Sequence, residues 1–340
     1  MPVSVPALSE ELTRLLDDVG SKLAAGRDVG ETFEPVPRLL GSLPVTAIAR
    51  VATEIANAAR LWRWAPPEKG LGTLFRVKLT QREQLDRHDA LKYLFIFHND
   101  GYLREAALNK MTGSLDAPFF VVAIAWRLND WVEPVRRAAA RCGARTFPET
   151  SDDVIARAGL GLHLQRFSLG RWGGEREILE QALGRPGVSE SLAALLATGP
   201  TGPLSRIFRE ALRRDGLDPH LEAIARTAVQ PAVRALAART VLSGIATWVD
   251  GYEWKWIDKA FGVRHRVPRQ AARQIVRTIS PDDMMAAAAV DPFVAVRKVA
   301  IDQLIREPLL FADRRKIAAG LARDANASIR ERAAFALEHS

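Results

Sequence analysis

Cysteine is nearly absent: one residue, Cys142, in a chain of 340. A disulfide framework and a four-thiolate zinc site are therefore excluded. Long apolar runs are missing too. No stretch of about 18 uncharged apolar residues occurs, so no transmembrane helix and no membrane partner are expected. The opening segment MPVSVPALSEELTRLLDDVG carries acids where a signal peptide needs basic and then apolar residues, which predicts a soluble cytoplasmic protein. The six histidines (His88, His98, His163, His220, His265 and His339) are scattered without metal-ligand spacing, and no metal or other cofactor is expected. Neither GxxxxGK[ST] nor G-x-S-x-G is present, and GLGLHL (159–164) lacks the third glycine and the preceding strand of a dinucleotide fingerprint. No catalytic constellation emerges, which favours a non-enzymatic role.

Positive charge is what the chain does have. Lys and Arg number 48 against 40 Asp and Glu, and the excess is uneven. Residues 1–90 are balanced, residues 91–200 carry +1, and residues 201–340 carry +7. Arginine outnumbers lysine 39 to 9, which codon bias can produce; codon bias does not gather the excess at one end. Such asymmetry points to an anionic partner.

Helix-start signals recur. Ser9 precedes EELTRLL, and Thr80-Gln81-Arg82-Glu83 is a capping box. Asp218-Pro219, Ser280-Pro281 and Asp291-Pro292 each place a capping side chain before a proline suited to the first helical turn. The best strand pattern is TLFRVKL (73–79), read as a short ribbon or a linker, with LWRWAPPEKGLG (61–72) before it as a helix end.

A stronger signal is self-similarity. NDGYLREAAL (99–108), NDWVEPVRRAAA (129–140), VQPAVRALAA (229–238), DPFVAVRKVAI (291–301) and DANASIRERAA (324–334) share a turn residue, an aliphatic residue, an arginine and small residues at fixed offsets. The arginines are Arg104, Arg136, Arg234, Arg297 and Arg330, with Arg269 of RVPRQAARQIV as a further member. Their spacings of 32, 98, 35, 28 and 33 indicate a period in the thirties, with degenerate copies around LGLHLQRF and LSRIFREAL. This pattern resembles the second helix of a HEAT repeat over roughly residues 85–340. The resemblance implies an all-α fold, an armadillo-like α-solenoid with a right-handed superhelix, and arginines that pair with the turn Asp or Asn of their own or a neighbouring repeat. Residues 1–79 lack the signature and are expected to form a helical cap and linker, with the solenoid over 80–340.

With those arginines set aside as a structural ladder, one basic segment is left, GYEWKWIDKAFGVRHRVPRQAARQIVRT (251–278), with seven basic and two acidic residues. If the segment is helical, Arg269, Arg273 and Arg277 form one ridge at i, i+4 spacing. Trp254, Lys255, Trp256, Lys259, Arg264 and Arg266 complete a candidate surface, with Tyr252 and Phe261 nearby. Cations beside stackable aromatics suit phosphates and unstacked bases. The expected function is a binding scaffold whose partner is nucleic acid or an acidic protein. The alternative is an enzyme: some bacterial alkylpurine DNA glycosylases are built of HEAT-like repeats, and resemblance to them implies a carboxylate and tryptophans in a groove. Trp248, Asp250, Trp254, Trp256 and Asp258 are the residues available for that role.

Overall fold

The computed structural model describes residues 7–62, 79–165 and 174–339, and these are mostly helical. The chain divides into two compact units. The first, residues 1–183, holds α1 (Glu10–Ala24), α2 (Gly30–Phe33), α3 (Val36–Gly41), α4 (Ile48–Ala58), α5 (Gln81–Arg87), α6 (Lys92–Phe95), α7 (Gly101–Lys110), α8 (Pro118–Arg127), α9 (Glu133–Thr146), α10 (Asp152–Gln165) and α11 (Arg176–Leu183). The second, residues 184–340, holds α12 (Pro186–Thr198), α13 (Leu204–Ala211), α14 (Leu221–Thr227), α15 (Pro231–Ser243), the antiparallel strands β1 (Ile245–Asp258) and β2 (Val263–Gln274), then α16 (Pro281–Ala289), α17 (Val294–Arg306), α18 (Arg314–Leu321) and α19 (Ala327–Glu338). Among the described residues no single helix is long and apolar enough to cross a membrane.

The start signals fold as local chemistry dictates. Ser9 Oγ accepts from Leu12 N–H at the head of α1, and Thr80 and Glu83 close the capping box of α5 in both directions. Ser280 caps α16 ahead of Pro281. Asp218 behaves differently: Asp218-Pro219 sits in a 3₁₀ segment, and the carboxylate serves a long-range contact described below.

In the first unit the core centres on α8. Its run Phe119–Ala125 is buried on every side, as expected of a helix without a polar face. Helices α3, α4, α9 and α10 pack around it, and α1 packs on α4 and α5. The described residues 7–62 thus contribute to this unit's core, and the boundary between the two compact units falls near residue 183. TLFRVKL (all but Leu79) and LWRWAPPEKGLG beyond Trp62 lie outside the described residues, as does LGLHLQRF beyond Gln165.

Five arginine-bearing motifs sit where helices begin. Arg104 donates to the carbonyls of His98 and Asn99, just before its own helix α7, and reaches Asp130 Oδ1 at 2.9 Å before α9. Arg136 donates to the carbonyls of Asp130 and Trp131 before α9. In the second unit Arg234 donates to the Ala228 carbonyl and reaches Asp291 before α17. Arg297 donates to the Asp291 and Pro292 carbonyls and grips Asp324 with two nitrogens. Arg330 donates to the carbonyls of Asp324 and Ala325. Each aspartate also accepts from the backbone N–H two residues on: Tyr102 for Asp100, Val132 for Asp130, Phe293 for Asp291 and Asn326 for Asp324. The arginines therefore satisfy carbonyls of the turn preceding their own helix, and Arg104, Arg234 and Arg297 also fasten the turn before a later motif helix. Helix α7 packs on α9, and α15 on α17, which packs on α19. Buried Ala237, Ala238, Ala300 and Ala333 keep the contacting surfaces narrow.

One element departs from the all-α expectation. Residues 245–274 form a two-stranded hairpin, not a helix pair. Ile245, Thr247, Val249, Tyr252, Trp254 and Trp256 are β-branched or aromatic and favour a pleated surface, a pull that outweighs the helical i, i+4 spacing of the arginines. Accordingly Arg269 is not a member of the repeat; it lies on β2.

Candidate nucleic-acid interface

The hairpin carries two register shifts, between Val249 and Tyr252 and between Trp256 and Asp258, and one turn. The register runs Val249 to Gln270 and then Tyr252 to Pro268, so β1 carries an extra residue. Gly251 sits there with φ of +94°, a conformation that favours glycine. At the tip, Asp258 Oδ1 accepts from the N–H groups of Ala260 and Phe261, and Gly262 takes φ of +66°.

The base of the hairpin is pinned to the second unit by arginines. Arg273 donates to the carbonyls of Leu212 (2.9 Å) and Arg214 beyond the end of α13 and forms a two-nitrogen pair with buried Asp218, 2.7 and 2.8 Å. Asp218 also accepts from Val276 N–H. Arg277 donates to the carbonyls of Val241 and Leu242 in the last turn of α15. A cation there complements the negative end of the helix dipole. Arg213 donates to the Val249 carbonyl and to Asp250 Oδ1 (3.0 Å), and its guanidinium lies 5.5 Å from the Trp248 ring. Arg269 pairs with Asp250 from the other side at 3.5 Å.

The expected ridge of Arg269, Arg273 and Arg277 is thus corrected. A strand alternates its side chains, so Arg269 and Arg273 fall on one face of β2, and Arg277 lies past its end. All three are occupied with carboxylates or helix-end carbonyls. They hold the hairpin in place.

The outer hairpin carries the remaining candidates. Cross-strand pairing sets Tyr252 opposite Pro268, Trp254 opposite Arg266 and Trp256 opposite Arg264. With a two-residue period, these six share one face. The Arg264 guanidinium lies 4.6 Å from the Trp254 ring and 5.9 Å from the Trp256 ring, and that of Arg266 lies 4.6 Å from the Tyr252 ring. Such contacts are worth about 0.5–1 kcal/mol when exposed. They give a two-stranded ribbon, marginal by itself, a reason to stay folded. The rings remain open to solvent: Trp254 is 59% exposed, and Trp256 and Tyr252 are each 52% exposed. Lys255 and His265 face each other on the opposite side, and Lys259 stands in the tip turn beside Phe261. Among the described residues no carboxylate pairs with Lys255, Lys259, Arg264 or Arg266.

The hairpin also explains a gap in the repeat. Arg104 and Arg297 reach aspartates 26 and 27 residues ahead, whereas Arg234 reaches one 57 ahead. Removing residues 245–274, thirty in all, brings that last separation to 27 as well. Likewise the 63 residues from Arg234 to Arg297 shrink to 33, the spacing from Arg297 to Arg330. The ends meet, with Ile275 N–H donating to the Gly244 carbonyl at 3.0 Å. Without the hairpin, the interval from Arg234 to Arg297 matches that from Arg297 to Arg330.

The residues considered for DNA glycosylase chemistry do not converge. Asp250 is held between Arg213 and Arg269, Asp258 closes the tip turn, and the bulge puts Trp248 at the base, away from Trp254 and Trp256. Cys142 is buried in α9, where burial pushes its thiol up to about 12. Sequence reasoning missed Arg213 and Asp218, whose partners on and beyond the hairpin lie 36 to 58 residues away with no local pattern to reveal them. Comparison with known protein families, with curated proteins and with solved structures returned no match.

Proposed function

We propose that this protein is a non-enzymatic scaffold of the HEAT-repeat type, an α-solenoid, that binds nucleic acid through the hairpin, an arm inserted into the repeat. The observation that carries the reading is the exposed face of Tyr252, Trp254, Trp256, Arg264 and Arg266. Its arginines lie against rings rather than carboxylates and so keep their charge for a partner. Nucleic acid is favoured over an acidic protein because it offers phosphates and flat base surfaces together, and Asp or Glu side chains offer only charge. The arm is also an addition to the repeat, so its residues are not required by the stacking of helices.

The test is the double charge reversal Arg264→Glu/Arg266→Glu. Wild-type protein is expected to bind a labelled oligonucleotide at low salt, with affinity that falls as salt rises, and the variant to bind at least tenfold more weakly with an unchanged helical spectrum. Wild type that binds neither DNA nor RNA at micromolar concentration and low salt contradicts the proposal, as does equal binding by the variant.

A further inference from the structure

We infer that the arm takes unpaired nucleic acid, stacking exposed bases on Tyr252, Trp254 and Trp256; this rests on the reading of the arm as the nucleic-acid contact. Three observations argue for single strands over duplex. First, the platform is aromatic before it is cationic. Three rings stand side by side at i, i+2 positions, about 6.7 Å apart along the strand. A duplex hides its base faces within the stack, so such rings meet nothing there that they recognise, whereas a single strand can splay its bases onto them. Second, cations are few. The ring face carries only Arg264 and Arg266, with Lys255 on the reverse and Lys259 at the tip. A duplex partner that relied on phosphate contacts alone would commonly engage about 6–10 of them. Third, Arg264 lies 4.6 Å from the Trp254 ring centre and 5.9 Å from that of Trp256, and Arg266 lies 4.6 Å from that of Tyr252, so each ring has a cation nearby for the phosphate that follows a stacked base.

These features set the expected salt response. For single strands the slope of log K against log salt is about −0.7 per phosphate contact, so two to four cations give about −1.4 to −2.8. Base stacking supplies the remaining affinity and is insensitive to salt.

The experiment uses the full chain and fluorescence anisotropy with labelled oligo(dT), oligo(U) and a mixed-sequence duplex of equal length. Oligo(dT) or oligo(U) should bind at least tenfold tighter than the duplex; binding of either supports the inference, and the tighter of the two identifies DNA or RNA as the source. Trp254→Ala/Trp256→Ala should weaken single-strand binding at least tenfold, and Trp254→Phe/Trp256→Phe, which keeps flat rings on the same strand, should retain most of it. Duplex bound as tightly as single strands overturns the inference and leaves the nucleic-acid reading standing. An alanine variant that keeps its helical spectrum and binds single strands like wild type overturns it equally. No binding of any of the three probes removes both.

Discussion

If the arm is an insertion, its outer part is removable. Replacing residues 254–266 by Asn-Gly joins Glu253 to Val267, which already face each other, through a two-residue turn suited to hairpins. No residue from Tyr252 to Arg266 is buried, and the segment's aromatic side chains are at least half exposed, so little apolar burial is lost. The cation–π contacts that vanish are internal to the arm. Shortening the connection from about thirteen residues to two favours folding by about 1.6 kcal/mol at most, from loop-closure entropy. The base contacts of Arg213, Asp250, Arg269 and Arg273 all remain. The expected change in stability is therefore within about 2 kcal/mol, or a melting shift under about 8 °C for a unit of this size. Circular dichroism at the helical minimum during heating reads it. Arg273→Ala gives the contrast: it strands the buried Asp218 carboxylate and should cost about 3 kcal/mol or more. A truncated arm that collapses the helical transition, or costs as much as Arg273→Ala, refutes the insertion.

Two further predictions concern the first unit. Asp130→Ala leaves Arg104 and Arg127 buried without their carboxylate and should cost about 3–5 kcal/mol in thermal or urea unfolding. Burial would raise the Asp130 carboxyl, but the Val132 N–H and the guanidiniums of Arg127 and Arg104 outweigh it and leave it below the ordinary range; a variant no less stable than wild type contradicts that balance. His98 is pushed down to about 4, chiefly by burial and further by Arg104 against the pull of Asp100, and its Nδ1 accepts from Asp100 N–H. With a depressed folded value, its contribution is complete above the unfolded value near 6.5 and is lost as pH falls towards 4, by about 3 kcal/mol. Urea titrations between those pH values should show wild type losing more stability than His98→Asn, and parallel losses would contradict the assignment.

Much of the helical content was legible in the sequence because its signals are local. The Thr80 capping box, the Ser9 cap and the Asp-turn-arginine motif each act within about six residues, and each makes its contacts there. The arm was misread for the same reason in reverse. Arg269, Arg273 and Arg277 fit a helical ridge by spacing, but the alternating Trp254 and Trp256 favour a strand, and Gly251 and Gly262 at positive φ suit its bulge and turn. The partners that decide what those arginines do, Asp218, Asp250 and the end of α15, come from distant elements that no window of sequence joins. Arg264 and Arg266 lie beside Trp254, Trp256 and Tyr252 because those rings come from the paired strand of the same hairpin, a proximity that the local sequence already suggests.

The most direct test of the central claim is the affinity of the arm-truncated protein, Glu253 joined to Val267, for single-stranded nucleic acid beside that of the intact chain. With both proteins folded, the account predicts at least a tenfold loss on truncation. Equal affinity with and without the arm would contradict it.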